Sequence, residues 1–116
     1  MARVRPSEEF VRDLEAQLAW IAEHGESGWA TGLRDALDVA FEQLGDQPAT
    51  GTIDVRRGTK TIRKLFLRVV PFVLWHAHDS SDASGSVLVL RLFHVKQDGP
   101  EWAAGRRRRS RRRRGS

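Results

Sequence analysis

Charge, more than any nucleophile, is the chemistry this sequence offers. Six cations, Arg56, Arg57, Lys60, Arg63, Lys64 and Arg68, lie between residues 55 and 70 with no acid among them. Such a set can hold an anion; on a sheet it equally makes a solvated face, or guards an edge against strand addition. Arg91 differs, being the one charge inside the apolar run Val87 to Phe93. Burying it unpaired would be costly, so it either pairs with an acid or opens onto a functional surface. His94 and Lys96 follow directly. His76 and His78 lie two apart and share a strand face, a spacing that can hold a metal ion. With no cysteine in the chain and only Asp79 as a nearby carboxylate, they read as structural, and no metal or other cofactor is expected. His24 sits where a helix ends and favours the dipole.

The elements that position these residues follow from periodicity. Residues 3–5 suit a brief edge strand ended by Pro6. Ser7 is a helix N-cap, with Glu8 and Glu9 in the positive first turn. Phe10, Leu14, Leu18 and Ile21 recur at helical spacing on one face. After Gly25 and Gly28, a second helix places Trp29, Leu33, Ala36, Leu37, Ala40, Phe41 and Leu44 on one stripe, with Gly45 as its C′ residue. So short a connection makes the two an antiparallel hairpin. Ile53 and Val55 suggest a short strand, and Arg57-Gly58 a turn. Residues 61–68, 72–77 and 87–96 then read as a three-stranded antiparallel meander, linked at Pro71 and through the Asp-Ser-Ala-Gly stretch 79–85. Val87 to Leu90 has no polar member, which predicts a central strand covered on both faces. On alternation, Lys60, Lys64 and Arg68 face away from Arg63. The fold class is α+β: short strand, helical hairpin, meander.

Composition sets the limits. The chain has 116 residues, enough for one domain, and a net charge of +5 from 20 basic and 15 acidic side chains. Absence of cysteine excludes a disulfide scaffold and a thiolate zinc site. No apolar run nears the roughly 18 residues of a membrane span, and the charged first 25 residues lack a signal-peptide core, so a cytoplasmic location is expected. The charge is uneven. Eight arginines fall in residues 105–116, leaving 12 basic against 15 acidic residues before them. Residues 1–104 are therefore read as the single domain and residues 105–116 as a disordered, arginine-rich tail.

That order of elements resembles the ParE/RelE toxin superfamily of type II toxin–antitoxin modules, over roughly residues 3–102. Three stretches carry the resemblance: Leu44 with Gln47-Pro48 and Gly51; Arg63-Lys64-Leu65 with Arg68, Pro71-Phe72-Val73-Leu74 and Trp75; and Val89 to Asp98 with Pro100-Glu101-Trp102. The last is similar to the ParE ending in which an Arg-bearing strand runs into His, Gly, two Arg, Asp and Pro. Here Val95 stands for the Gly, Lys96-Gln97 for the Arg pair, and Gly99 for the first Pro. The resemblance implies a small toxin neutralised by a co-expressed antitoxin, in a hetero-oligomer. Trp20 sits about 80° off its helix's apolar stripe at 100° per residue, which suits a partner contact or packing against a neighbouring element. Trp20, Trp29 and Trp75 are the candidate antitoxin contacts.

Two activities occur in the superfamily. RelE-like members cut messenger RNA on the ribosome, which needs a base, an acid and cations around the phosphorane. The chain has no tyrosine, a usual participant; for that chemistry the set would be His94 with Arg63, Lys64, Arg68, Arg91 and Lys96. ParE-like members poison DNA gyrase by binding it, with no catalytic residue. The Arg91-Leu92-Phe93-His94 strand and the Asp98-x-Pro100-x-Trp102 ending look more like ParE. The expected function is gyrase inhibition, with Arg63, Arg68, Arg91, His94, Lys96 and Trp102 as target contacts. The alternatives are a RelE-like endoribonuclease and a non-enzymatic nucleic-acid-binding module, its affinity coming non-specifically from the arginine tail.

Overall fold

The computed structural model describes residues 2–26, 28–97 and 99–102. Two helices cover one face of a five-stranded sheet, an α+β arrangement. The elements are β1 (Val4–Pro6), α1 (Glu8–His24), α2 (Trp29–Asp46), β2 (Thr52–Arg57), β3 (Lys60–Phe66), β4 (Phe72–Asp79) and β5 (Val87–His94). No helix among the described residues is long and apolar enough to cross a membrane.

The helices begin and end for local reasons. Ser7 caps α1: its Oγ accepts from the Phe10 N–H at 3.1 Å and donates to the Leu90 carbonyl at 3.0 Å. One hydroxyl thus both starts the helix and ties it to the sheet. Phe10 and Ile21 are buried, with Leu14 and Leu18 packed against them, as the spacing predicts. Leu33, Leu37, Ala40 and Leu44 form the buried stripe of α2. Gly45 does not lie past the helix end. The helix runs on to Asp46, and Gly45 is buried where its carbonyl accepts the Ala2 N–H at 2.7 Å. Ala2 passes so close to α2 that the last turn is held by a tertiary bond.

The sheet order is β1-β5-β4-β3-β2, with β1 parallel to β5 and every other pair antiparallel. The meander therefore has four strands, since Ile53 and Val55 belong to a full strand paired to β3. Its bulge falls at Asp54. The most covered strand is β4, whose residues Phe72 to Ala77 are all buried. In β5 only Val87, Val89 and Leu92 are buried, and the alternate residues are half-buried. The apolar run Val87–Leu90 therefore lies one place from the centre, with its second face only partly covered.

Two cores result. On the helix side Phe10, Ile21, Leu33, Leu37 and Leu44 pack against Phe72, Leu74, Val87, Val89 and Leu92. On the opposite face Val73 and Trp75 are covered by Ile62, Leu90, Phe93 and Trp102. The β1 strand is too short to accompany β5 to its end. Side chains take over there: the Asp13 carboxylate accepts the Leu92 N–H at 3.0 Å, and the Gln97 carboxamide accepts the His94 N–H at 2.7 Å.

Candidate functional site

Arg91 pairs with an acid. Its Nε donates to Asp13 Oδ2 at 2.7 Å and its Nη2 to Asp13 Oδ1 at 3.1 Å, a two-point bridge from β5 to α1. These bonds push the guanidinium pKa still higher. The same group lies 4.8 Å from the Phe93 ring centroid. Arg91 is an anchor between helix and sheet, with its Nε and Nη2 donors bound to Asp13.

Cross-strand register places the other cations. Lys64, Trp75 and Arg91 form one row across the face opposite the helices, while Arg63 pairs with His76 on the helix side. Lys60 and Lys64 oppose Arg63, as alternation predicts. Arg68 does not take part, because β3 ends at Phe66 and Arg68 lies in the connection. Lys64 sits 5.7 Å from the Phe66 ring centroid. Arg56, Arg57, Lys60, Arg68 and Lys96 are exposed. Among the described residues, none of these, nor Arg63 or Lys64, forms an ion pair.

His94 stands at the far end of β5, on the Phe72 ring edge at 5.4 Å between centroids. Its Nδ1 accepts the Lys96 N–H at 3.1 Å, an assignment that puts the neutral ring's proton on Nε2. Trp20 lies tilted 6.5 Å away and stacks on His24 at 5.3 Å and Trp29 at 6.4 Å. Gln97 links the end of β5 to α1, accepting from Gln17 Nε2 at 3.0 Å. Trp20 and Trp29, the candidate antitoxin contacts, thus form one aromatic cluster with His94, a candidate target contact. Trp20 is 45% exposed. Trp75 has no such surface: it is 4% exposed, donates to Asp54 Oδ2 at 3.2 Å, and lies under Trp102 at 6.3 Å between centroids.

His76 is a core residue. Its Nε2–H donates to the Thr50 carbonyl at 2.8 Å, its buried Nδ1 has no partner, and burial pushes its pKa down to about 4. His78 reaches the Ser86 carbonyl with Nδ1, at 3.4 Å. No three His, Asp or Glu side chains gather as metal ligands among the described residues.

Sequence reasoning missed an apolar groove of about 600 Å³ between α2 and the β3–β4 connection. Gly32, Ala36 and Val39 form one wall, Phe66 and Val69 the other. Val69 is fully exposed at φ 73°, and Val39 and Phe66 are each 59% exposed. A β-branched residue in the left-handed region is strained. The available signal was Val69-Val70, two branched apolar residues placed in a turn.

Comparison with known proteins accords with this architecture. The chain aligns over 83% of its length, and 98% of the other chain, with a chromosomal ParDE TA system from P. aeruginosa, at 16% identity and TM-score 0.58. An archaeal RelE–RelB complex from Pyrococcus horikoshii OT3 aligns at 10% identity and TM-score 0.49, over 83% and 97% of the two chains. No curated protein sequence matches. The sequence profile of the ParE toxin of type II toxin-antitoxin system, parDE, matches residues 4–99. Residues 105–116 lie beyond that match and outside the described residues. The chain belongs to the ParE toxin family of type II toxin–antitoxin systems.

Proposed function

We propose that this toxin acts by binding DNA gyrase rather than by cutting RNA, and that a cognate antitoxin holds it inactive in the cytoplasm. The observation that carries the choice is the dispersal of the groups RNA cleavage would need. Arg63 and Lys64 point to opposite faces of the sheet, Arg91 is bound to Asp13, and His94 lies at the strand end beside Trp20. With Nδ1 engaged by Lys96, the neutral His94 ring offers a donor and no free base. A binding toxin needs none of these to converge. On this reading His94, Lys96 and Arg68 are contacts to gyrase, whereas Arg63 and Trp102 lie on opposite faces of the sheet.

The antitoxin contacts are the half-exposed Trp20 with Trp29, and the groove of Val39, Phe66 and Val69. These are large apolar surfaces left bare on the isolated chain, the kind a protein partner covers. The test runs two assays on the same protein, gyrase supercoiling and ribosome-dependent messenger cleavage. The expected result is loss of supercoiling with intact messenger, relieved by the antitoxin; cleaved messenger with normal supercoiling overturns the proposal. A W20A variant is expected to weaken antitoxin binding at least tenfold.

A further inference from the structure

The tip of the β2–β3 hairpin carries three cations within five residues, at the outer edge of the sheet. Arg57 and Lys60 are direct cross-strand partners on the face opposite the helices, while Arg56, paired with Thr61, points the other way. All three are exposed, and among the described residues none forms an ion pair. Like charges placed directly opposite are destabilising, and guarding the β2 edge needs charge but not this facing pair. The nearest carboxylate by register is Asp79, opposite Lys60, and it is turned onto Ser81, at 2.9 Å from the N–H and 2.7 Å from Oγ.

The tip is held in place rather than left to swing. Gly58 makes the turn at φ 59°, and the Thr59 carbonyl accepts both the Ser80 N–H at 2.9 Å and the Ser80 hydroxyl at 3.2 Å. Residues 56–61, Arg-Arg-Gly-Thr-Lys-Thr, include no apolar side chain. Protein interfaces need apolar or aromatic anchors at their centre and are poor in lysine. This tip has the opposite composition. A two-stranded ribbon with cations on both faces matches a groove with phosphates on both walls, and the B-form major groove admits such a ribbon.

We propose that the β2–β3 hairpin tip is a contact for the phosphodiester backbone of duplex DNA, made by Arg56, Arg57 and Lys60. This contact is separate from the arginines of residues 105–116 and from the choice of gyrase as target. The contact is sequence-blind, because backbone phosphates carry no base information. An A-form duplex, whose major groove is deep and narrow, fits the ribbon poorly.

The test uses the full chain and measures binding to a 30-base-pair DNA duplex across a salt series. Replacing R56Q, R57Q and K60Q together is expected to reduce the slope of log K against log salt by about 2.7, three phosphate contacts at about 0.9 each. A control with the same loss of charge, R3Q, R12Q and R34Q, is expected to leave the slope unchanged. The R56K and R57K pair, which keeps the charge, is expected to retain it. Equal losses in the hairpin and control variants, or no loss in the hairpin variant, overturn the proposal. An RNA duplex of the same sequence is expected to show less than half the hairpin effect, and an equal effect there overturns entry into the groove. Supercoiling inhibition is a separate readout, so the two proposals can fail independently.

Discussion

Asp13 serves three donors with one carboxylate, and it does so at the seam between α1 and β5. Asp13→Ala leaves the Arg91 guanidinium and the Leu92 N–H without their acceptor, in a setting where the two side chains are 30% and 15% exposed. The expected cost is about 2–3 kcal/mol, read as a lower urea midpoint, with Asp13→Asn intermediate because it still accepts from Leu92. His76 gives a prediction in pH. An unfolded histidine titrates near 6.5 and this one near 4, so between those values the unfolded chain binds a proton that the native state does not. Stability therefore falls as pH drops through that window, by up to about 3 kcal/mol. His76→Gln, whose amide can still donate to Thr50, is expected to flatten denaturation midpoints measured from pH 7 to pH 4. The sequence posed the right question about Arg91, pair or open surface, because one charge in an apolar strand demands an answer. It could not name Asp13, which is 78 residues away. Nor could it show that Trp75 lies beneath Trp102, because aromatic content says nothing about which ring covers which.

At the level of elements, both helices and all the strands were legible from spacing and turn residues. Spacing also gave the meander order of β3, β4 and β5; what it could not give was the place of β1. Pairing of β1 beside β5 joins the first strand to the last, and no local pattern encodes it. The same limit explains Gly45, a sound C′ residue locally that tertiary contact with Ala2 draws into the helix. The β2–β3 hairpin sets two like charges side by side, so Arg57→Glu opposite Lys60 is expected to stabilise the protein by about 0.2–1 kcal/mol in thermal melts. In the β3–β4 connection, Val69→Gly is expected to leave stability unchanged or raise it by up to about 1 kcal/mol. Relief of the left-handed backbone there outweighs the added freedom of the unfolded chain. At β4, by contrast, truncating Leu74 is expected to cost about 2–5 kcal/mol.

For the whole molecule, the net charge of +5 conceals opposed parts: 10 acidic and four basic side chains in residues 1–49, and eight basic with five acidic in residues 50–104. The remaining eight arginines lie in residues 105–116. Deleting those twelve residues is expected to leave the thermal midpoint and gyrase inhibition unchanged while weakening general attraction to nucleic acid, which filter binding at two salt concentrations would show. This opposition of charge is legible in the sequence, since it needs only counting. The groove beside α2 is not, because a cavity belongs to two elements at once.

The seating of β1 and α1 on β5 also governs when the protein can come into being. Val4 pairs with Val87, and Ser7 reaches Leu90 across 83 residues. A nascent chain therefore carries its first strand unpaired, and its first helix without the strand it rests on, until β5 has left the exit tunnel. At about 5–20 residues per second, that is several seconds of synthesis without a closed sheet. Contacts so distant in sequence close late. A translation product cut short before β5 has no partner for β1 and no Arg91 for Asp13. Only a chain that carries β5 can become the toxin.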